Sequence, residues 1–369
     1  MIYKDYGKTG KKVSAIGFGG MRFLENCSIE EGAAILRHAS NLGINYFDTA
    51  PGYCSDRSED IFGEAFKNMP NPYYVSTKSS INSEPDADSV RRRIEKSIKR
   101  LGVEKIHFHH MWCIMDLDHY ERVMAKGGPY WGALKAKEEG LIDHIVVSTH
   151  ATGKEIAKIV KDGYFEGVTL GYNILNFPYR QEGIQAAQEA GMGVVTMNPL
   201  GGGIIPQNPE YFSFLKEREG ESVMQAALRF NASHQGISVA LAGISSIDEV
   251  NHNVEAVKDL EILNDNKINE IKSKLRNDMN ELCTSCQYCK HCPQEIDIPK
   301  FMVLYNSYVL KGQEEIEKNY ANALKSKNIK PDKEAMPKDC IQCGICETLC
   351  TQKLDIIQRL EWLDHQVVQ

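Results

Sequence analysis

The sequence predicts a (β/α)8 TIM barrel followed by a small, helix-rich domain dense in cysteine, and three observations carry that reading. Short β-rich stretches alternate with helical ones over about the first 260 residues, the pattern of a parallel sheet. The alternation runs through eight units, which suits the ordinary size of a (β/α)8 barrel. Of the chain's 11 cysteines, all but Cys27, Cys54 and Cys113 fall in two short runs in the last quarter.

In order, the strands are expected at Ser14–Gly19, Ile44–Asp48, Tyr73–Lys78, Lys105–Trp112, His144–Thr149, Val168–Asn173, Gly193–Asn198 and Ser238–Gly243. Helical patterns follow each. Between Ile29 and Leu42, the residues Ile29, Ala33, Leu36 and Ala39 fall on one helical face; between Ser89 and Leu101, Val90, Ile94, Ile98 and Leu101 do the same. A doubly wound sheet is the alternative, but Gly17-Phe18-Gly19-Gly20 after the first strand is too short for the G-x-G-x-x-G fingerprint and reads as a tight strand-end turn. From Leu260 to Leu282 the chain turns helical and charged, with Ile268, Ile271, Leu275 and Met279 as one apolar stripe. The expected domains are therefore a barrel over 1–260, a connecting helix over 261–282 that packs on it, and a cysteine domain over 283–369. Within the last, Lys300 to Lys327 reads helical, and Pro331 and Pro337 bracket a loop before Cys340.

With 369 residues, 42% hydrophobic and 25% charged, the chain is long enough for one large domain plus a small one. A net charge of −7 argues against a nucleic-acid surface. No apolar run is long enough to span a bilayer, and Met1-Ile2-Tyr3-Lys4-Asp5 has no signal-peptide core, so a cytoplasmic protein without a membrane partner is expected.

Cys340, Cys343, Cys346 and Cys350 keep the spacing C-x2-C-x2-C-x3-C of a bacterial ferredoxin; Cys283, Cys286, Cys289 and Cys292 have two residues in the last gap, with Pro293 following directly. Thr351 stands where the second proline would be. Four soft thiolates per run suit a [4Fe-4S] centre, and two clusters are expected. In two-cluster ferredoxins the fourth cysteine of each run ligates the other cluster, which puts Cys283, Cys286, Cys289 and Cys350 on one and Cys340, Cys343, Cys346 and Cys292 on the other. A pair of zinc sites is the alternative, since C-x2-C pairs also suit tetrahedral zinc; two consecutive runs of four and the Cys-Pro step favour clusters. Disulfides are disfavoured by the absence of a secretory signal. Exposed clusters degrade in oxygen, so a low-oxygen cell is the expected setting.

Catalysis in such a barrel is expected at the C-terminal strand ends. The second strand ends Asp48-Thr49-Ala50-Pro51-Gly52-Tyr53 and the third Ser76-Thr77-Lys78. Lys78, held by Asp48, would lower the pKa of Tyr53 so that the phenol exchanges a proton near neutral pH; the plainer reading is a surface ion pair beside a packed tyrosine.

Asp48-Thr49-Ala50 with Tyr53, Ser58-Glu59, Gly63, Lys78, Tyr172-Asn173, Pro199-Leu200-Gly201, and Gly243 with Asn253 together resemble the aldo-keto reductases over residues 1 to about 260. With its cysteine tail the chain is similar to the branch of that family with a ferredoxin-like iron-sulfur extension. The resemblance implies that Tyr53 gives a proton to a carbonyl reduced by nicotinamide hydride, with Asp48 and Lys78 in the family's supporting roles. The family's catalytic histidine falls, in the register set by Leu101-Gly102 and Ile106, on Trp112. His110, two residues earlier, points to the same side of a strand and reaches toward the pocket from one layer deeper; otherwise His107, His109 and His110 are a solvated edge and a packed core histidine. Trp112 reads as a flat wall against substrate or cofactor.

The resemblance also implies a dinucleotide site, NAD(P), on Gly20, Met21, Arg22, Ser148, Asn173, Pro199, Leu200, Gly201, Gly203, Gly243, Ser245 and Asn253. The family's sixth-strand glutamine aligns with Thr169, and Ile244-Ser245-Ser246-Ile247 lacks the cation that often takes a 2′-phosphate. The glycines after the seventh and eighth strands offer backbone N–H groups to phosphate, which a flavin phosphate could use as well. Their plainer reading is loops that need positive φ. Cys54 and Cys113 neighbour Tyr53 and Trp112 and read as small packing residues.

The expected function is thus an iron-sulfur oxidoreductase acting on a small organic carbonyl or alcohol, with electrons exchanged through the clusters, NAD(P)H or both. Ferredoxin or another donor is the expected electron partner. The alternative is a non-catalytic electron-transfer subunit. Asp116 to Trp131 and Gly203 to Glu219 are the loops expected to shape the pocket.

Overall fold

The computed structural model describes residues 1–275, 281–326, 328–330 and 334–367. They form two compact units: residues 1–200 with 215–268, and residues 201–214 with 269–369.

The first unit opens with an antiparallel hairpin, β1 (Tyr3–Asp5) and β2 (Lys12–Ser14), too short for the sequence pattern to reveal. Eight parallel strands follow: β3 (Ile16–Gly19), β4 (Tyr46–Asp48), β5 (Tyr74–Ser79), β6 (Ile106–Ile114), β7 (Ile142–Thr149), β8 (Gly167–Gly171), β9 (Gly193–Met197) and β10 (Val239–Gly243). Each pairs with the next, and β10 closes on β3, so the sheet is a barrel and the doubly wound alternative is excluded. Each expected strand overlaps an observed one, with ends displaced by a few residues where strand and turn residues grade into each other.

Capping residues in the sequence explain where the outer helices start. Ser28 and Glu31 form a reciprocal capping box at the helix Ile29–Asn41, and Asp86 caps Ala87–Leu101, which Gly102 ends with φ 63°. Of the expected stripes, Ala33, Leu36 and Ala39 and then Val90, Ile94 and Leu101 are buried, whereas Ile29, in the first turn of its helix, is exposed and Ile98 is half-buried.

The hairpin turns Tyr6 into the bottom of the barrel, where it is fully buried with Tyr46, Phe108, Val146, Val195 and Val239. Its ring centroid lies 4.2 Å from that of Phe108. Gly167 and Gly193 are glycine because a methyl group at either would collide with the Tyr6 ring. Gly193→Ala is therefore expected to destabilise the barrel by about 1–3 kcal/mol through overpacking, read as a lower urea midpoint. An unchanged midpoint would mean that Tyr6 is not the plug.

In the second unit the helices Ile298–Lys311 and Gln313–Lys325 lie where one helical stretch was expected. Gly312 breaks them, at φ 87° and ψ −171°, a conformation open to glycine. These helices and Ile356–Val367 bury Phe301, Met302, Ile316, Tyr320, Leu360 and Leu363. The connecting helix spans Asp265–Lys274; the rest of the stretch expected up to Leu282, including Met279, falls partly on 276–280, outside the described residues, as do Lys327 and Pro331. Among the described residues no helix is long and apolar enough to cross a membrane.

Candidate active site

The barrel mouth gathers its chemistry from three adjacent strands. Asp48 on β4 is paired in register with Ser76 on β5, and Lys78, two residues on, with His110 on β6. Alternation along a strand points Asp48, Ser76, Lys78, His110 and Trp112 to the same interior face. Lys78 Nζ donates to Asp48 Oδ1 at 2.5 Å and to the Thr49 carbonyl at 2.8 Å. Both side chains are at most 4% exposed, so this is a buried ion pair and the surface-pair reading fails. Burial lowers the Lys78 pKa while the Asp48 charge opposes that fall.

Tyr53 stands over this pair: its ring centroid is 5.2 Å from Lys78 Nζ. Trp112 meets it edge to face, with centroids 5.7 Å apart and planes at 85°. Both rings are half-buried. Trp112 thus stands as an aromatic wall beside the phenol, as expected from its place at the end of the strand.

His110 lies below that wall, fully buried, with Nε2 2.8 Å from Ser76 Oγ and 3.7 Å from Asp48 Oδ2. It approaches the site from one layer deeper, and the group within hydrogen-bond reach of its Nε2 is the Ser76 hydroxyl. Burial and the Lys78 charge hold its pKa well below the usual histidine value, so the imidazole is neutral. His109 faces the other way, bonded to Ser79 Oγ at 2.9 Å, and His107 Nδ1 accepts from the Val75 N–H.

Tyr53 is presented by an unusual turn. Gly52 has φ 80°, and the next residues after Tyr53, namely Cys54, Ser55 and Asp56, have φ 53°, 57° and 64°. Left-handed conformations cost a non-glycine residue about 1 kcal/mol or more each and persist only when clamped. Asp56 supplies the clamp: its Oδ1 accepts from the Gly52 N–H at 2.9 Å and from Arg100 at 2.8 Å, and Arg100 also binds Asp60 and Glu59. These donors, the Gly52 N–H foremost, lower the Asp56 pKa. Neither Ser76 nor Arg100 stood out in the sequence. Strand parity would have found the serine, two residues before Lys78; nothing marked the arginine.

Of the expected nucleotide contacts, those at the ends of β3 and β10 come together. The Arg22 stem lies on Gly243, where a Cβ would stand 2.6 Å from Arg22 Cγ, and the Arg22 side chain is exposed. A cation thus stands beside Gly243, brought from the loop after β3 rather than from the residues that follow Gly243. Met21 is exposed beside it, while the Gly20 N–H binds the Asp48 carbonyl at 2.8 Å. Ser245 donates from both N–H and Oγ–H to Glu249, at 2.7 and 3.0 Å. Asn253 is buried in the helix Ile247–Ala256. Ser148 is buried on β7, in register with Thr169 on β8. Gly167 faces Tyr6, so Thr169 faces the barrel interior, and its buried Oγ1 has no hydrogen-bond partner among the described residues. Asn173 is spent on its own loop: Nδ2 donates to the Asn198 carbonyl and Oδ1 accepts from the Leu175 N–H. Pro199 and Leu200 close β9; Gly201 and Gly203, with φ 61° and 98°, belong to the second unit.

Residues 15–276 match the model of the Aldo/keto reductase family. The chain belongs to the aldo/keto reductase family. The L-galactose dehydrogenase of Arabidopsis thaliana is 29% identical over 286 residues, covering 70% of this chain and 88% of that protein. Among solved structures, aldo-keto reductase AKR11C1 from Bacillus halodurans, in its holo form, is similar with TM-score 0.63 and 23% identity, over 75% of this chain and 97% of that one. An aldo-keto reductase from Klebsiella pneumoniae in complex with NADPH is similar with TM-score 0.61 and 18% identity, over 74% and 95%. This family member is an oxidoreductase built on the family's closed parallel barrel.

Both cysteine runs lie beyond the matched residues of this reductase. Cys283, Cys286, Cys289 and Cys350 lie within electrostatic reach of one another; burial first, then their mutual influence, pushes the Cys283 thiol up to about 11 and Cys289 to about 12. Cys292, Cys340, Cys343 and Cys346 line one small cavity together with Cys289, with Ile298 and Ile357 among its walls. Ser285, Gln287, Gln342 and Gly344 have φ of 52°, 65°, 55° and 77°, which curls each run so that N–H groups meet sulfur. The Gln342 N–H donates to Cys340 Sγ and the Leu354 N–H to Cys350 Sγ, each at 3.4 Å. Among the described residues no three His, Cys, Asp or Glu converge to hold a single metal ion. A cubane spreads its four thiolates around a body several Å across, so convergence on one point is not its signature.

Proposed function

We propose that the barrel interconverts a small carbonyl compound and its alcohol, with Tyr53 as the proton donor and acceptor, and that the cysteine unit carries two [4Fe-4S] clusters. The carrying observation is the buried Asp48–Lys78 ion pair beneath Tyr53. In the reducing direction the Tyr53 O–H proton goes to the substrate oxygen and the phenolate left behind faces the Lys78 ammonium. Asp48 holds that ammonium in place, since its other acceptor is only the Thr49 carbonyl. Trp112 screens one side of the phenol from water. An electron-carrying subunit without catalysis would gain nothing from keeping two charges out of water, which costs several kcal/mol per ion before pairing repays it.

The residues present fit a nicotinamide nucleotide. Arg22, its stem packed on Gly243 and its side chain exposed, is the cation for a phosphate, and the Thr169 hydroxyl, buried without a partner among the described residues, suits a carboxamide. When bound, NAD(P)H supplies hydride to the carbonyl carbon. A flavin phosphate would find the same cation. The relative from Arabidopsis, an L-galactose dehydrogenase, makes sugar hydroxyl–carbonyl pairs the first substrate class to assay.

For the clusters, the ligand sets are the crossed ones, Cys283, Cys286, Cys289 and Cys350 for one and Cys292, Cys340, Cys343 and Cys346 for the other; the mutual influence of the first four and the shared cavity of the second four support them, although Cys289 lines that cavity too. When bound, such clusters supply one-electron storage. Ferredoxin, or another one-electron donor, is then the partner for reducing them.

Anaerobic reconstitution with iron and sulfide, followed by titration with NADH, NADPH and reduced ferredoxin in turn, tests both halves. Two clusters per chain and bleaching of their visible absorbance by ferredoxin are expected, and Cys343→Ser should abolish the EPR signal of one reduced cluster while leaving the other. A colourless protein that binds zinc instead would overturn the cluster reading.

A further inference from the structure

We propose that Ser76 is a positioning residue of the catalytic set: it links His110 to Asp48, and through Asp48 it fixes Lys78 beneath Tyr53. The inference rests on Tyr53 as the proton donor and adds to it a residue and a direction for the hydrogen bonds.

Proton counting gives the direction. The Ser76 hydroxyl has one proton, and Asp48 Oδ2, 2.7 Å away, is a carboxylate oxygen that only accepts. That proton therefore points at Asp48, and Ser76 Oγ has only lone pairs left for its second neighbour, His110 Nε2 at 2.8 Å. A neutral imidazole has one N–H, which must then sit on Nε2 and donate to Ser76. His110 Nδ1, left bare, has no partner among the described residues, a smaller penalty for an acceptor than for a buried N–H. Without the serine the imidazole could not serve: 3.7 Å from Nε2 to Asp48 Oδ2 is beyond hydrogen-bond reach.

Asp48 is thereby shared. Oδ2 is taken by the serine and Oδ1 by Lys78, so the ammonium meets one carboxylate oxygen and stays under the phenol. With the hydroxyl removed, both oxygens draw on Lys78 and less of its charge is felt by the Tyr53 phenolate. No proton leaves His110 in the cycle. The one given to substrate comes from Tyr53, which regains it from solvent after product leaves.

The other ionisable groups near the set are accounted for. Tyr46, whose hydroxyl also lies near Ser76, and Tyr6 both feel the Asp48 charge and are held neutral by burial. A phenol turned toward Ser76 can only donate to an Oγ whose proton is already given to Asp48, so the direction of the His110 bond stands. His109, near Lys78, is pushed down to about 3 by burial. Glu59, also near Lys78, is tied to Thr77 Oγ1 and Arg100.

The test compares Ser76→Ala with Ser76→Thr, which keeps the hydroxyl. For carbonyl reduction, Ser76→Ala is expected to lower kcat ~10-fold with KM within about twofold, and to move the alkaline limb of the kcat profile up by about one pH unit, the worth of one hydrogen bond to a charged group. Ser76→Thr should restore both. A purely structural serine would lower the unfolding midpoint of Ser76→Ala and leave the limb in place, which would overturn the proposal. Independently of turnover, nitrogen NMR of histidine-labelled protein, assigned with His110→Gln, should find His110 with its proton on Nε2 and no titration between about pH 5.5 and 9. A proton on Nδ1 would also overturn it. Tyr53→Phe run alongside keeps the two ideas apart: an active Tyr53→Phe removes the proton-donor reading, while the NMR result still decides the relay.

Discussion

Tyr53→Phe is expected to lower kcat for carbonyl reduction by about 10²–10⁴-fold, the usual worth of a positioned general acid, with KM and stability close to those of the parent. The phenol hydroxyl is the group lost; the ring that Lys78 and Trp112 flank remains, so the pocket keeps its shape. Lys78→Met should be equally inactive for a different reason and should also unfold more readily, by about 3–5 kcal/mol, because it leaves Asp48 buried without its counter-charge. The contrast is the useful part. Steady-state kinetics and urea unfolding of both variants separate a lost proton donor from a broken ion pair, and a Tyr53→Phe protein retaining more than about a tenth of its activity would assign the proton to some other group.

The barrel should also lose stability steeply below about pH 6.5. His109 and His110 are fully buried and neutral, His109 held down to about 3 and His110 well below the usual value. A histidine whose folded pKa lies below its unfolded value is protonated first in the unfolded chain. Its contribution is complete above about 6.5 and is lost as pH falls toward the folded value. Each such group costs about 1.4 kcal/mol per pH unit in that window, so the pair should remove roughly 5 kcal/mol between pH 6.5 and 4.5. His107, held at about 4 but partly exposed, adds a smaller share. Carboxylates act lower: Glu166, held at about 2 against the cost of burial by His144 and Lys137, loses its contribution only as pH drops through the carboxylate range toward 2. Urea midpoints from pH 7.5 to 4.5 measure the slope. A flat profile down to pH 5 would mean these imidazoles take up protons in the folded state, and His109→Asn should flatten the slope by about one proton.

What the sequence disclosed, and what it withheld, follows from the range of each signal. The eight strands were legible because each is a local run with its own turn residues, and the meeting of Asp48, Tyr53 and Lys78 because the C-terminal ends of neighbouring barrel strands share one mouth. The hairpin that carries Tyr6 was not, since three-residue strands show no periodicity. Ser76 is an ordinary strand residue until a carboxylate and an imidazole are brought to either side of it. Arg22 and Gly243 meet only because β10 pairs with β3, a closure no local window contains. The histidine position was legible as a departure: the register put Trp112 there, and the ring does stand beside Tyr53.

Residues 201–214 leave the end of β9 and are counted with the cysteine unit, where Gly202, at φ 69°, has no room for a methyl group because the Thr284 carbonyl, next to Cys283, occupies that space. The cysteine unit is therefore discontinuous along the chain, and its first piece leaves the ribosome long before its second. During synthesis that segment must wait for residues 269–369 before it can settle, so the module cannot be lifted out, or grafted onto another barrel, as a tail alone. A transplant would have to carry the loop with it.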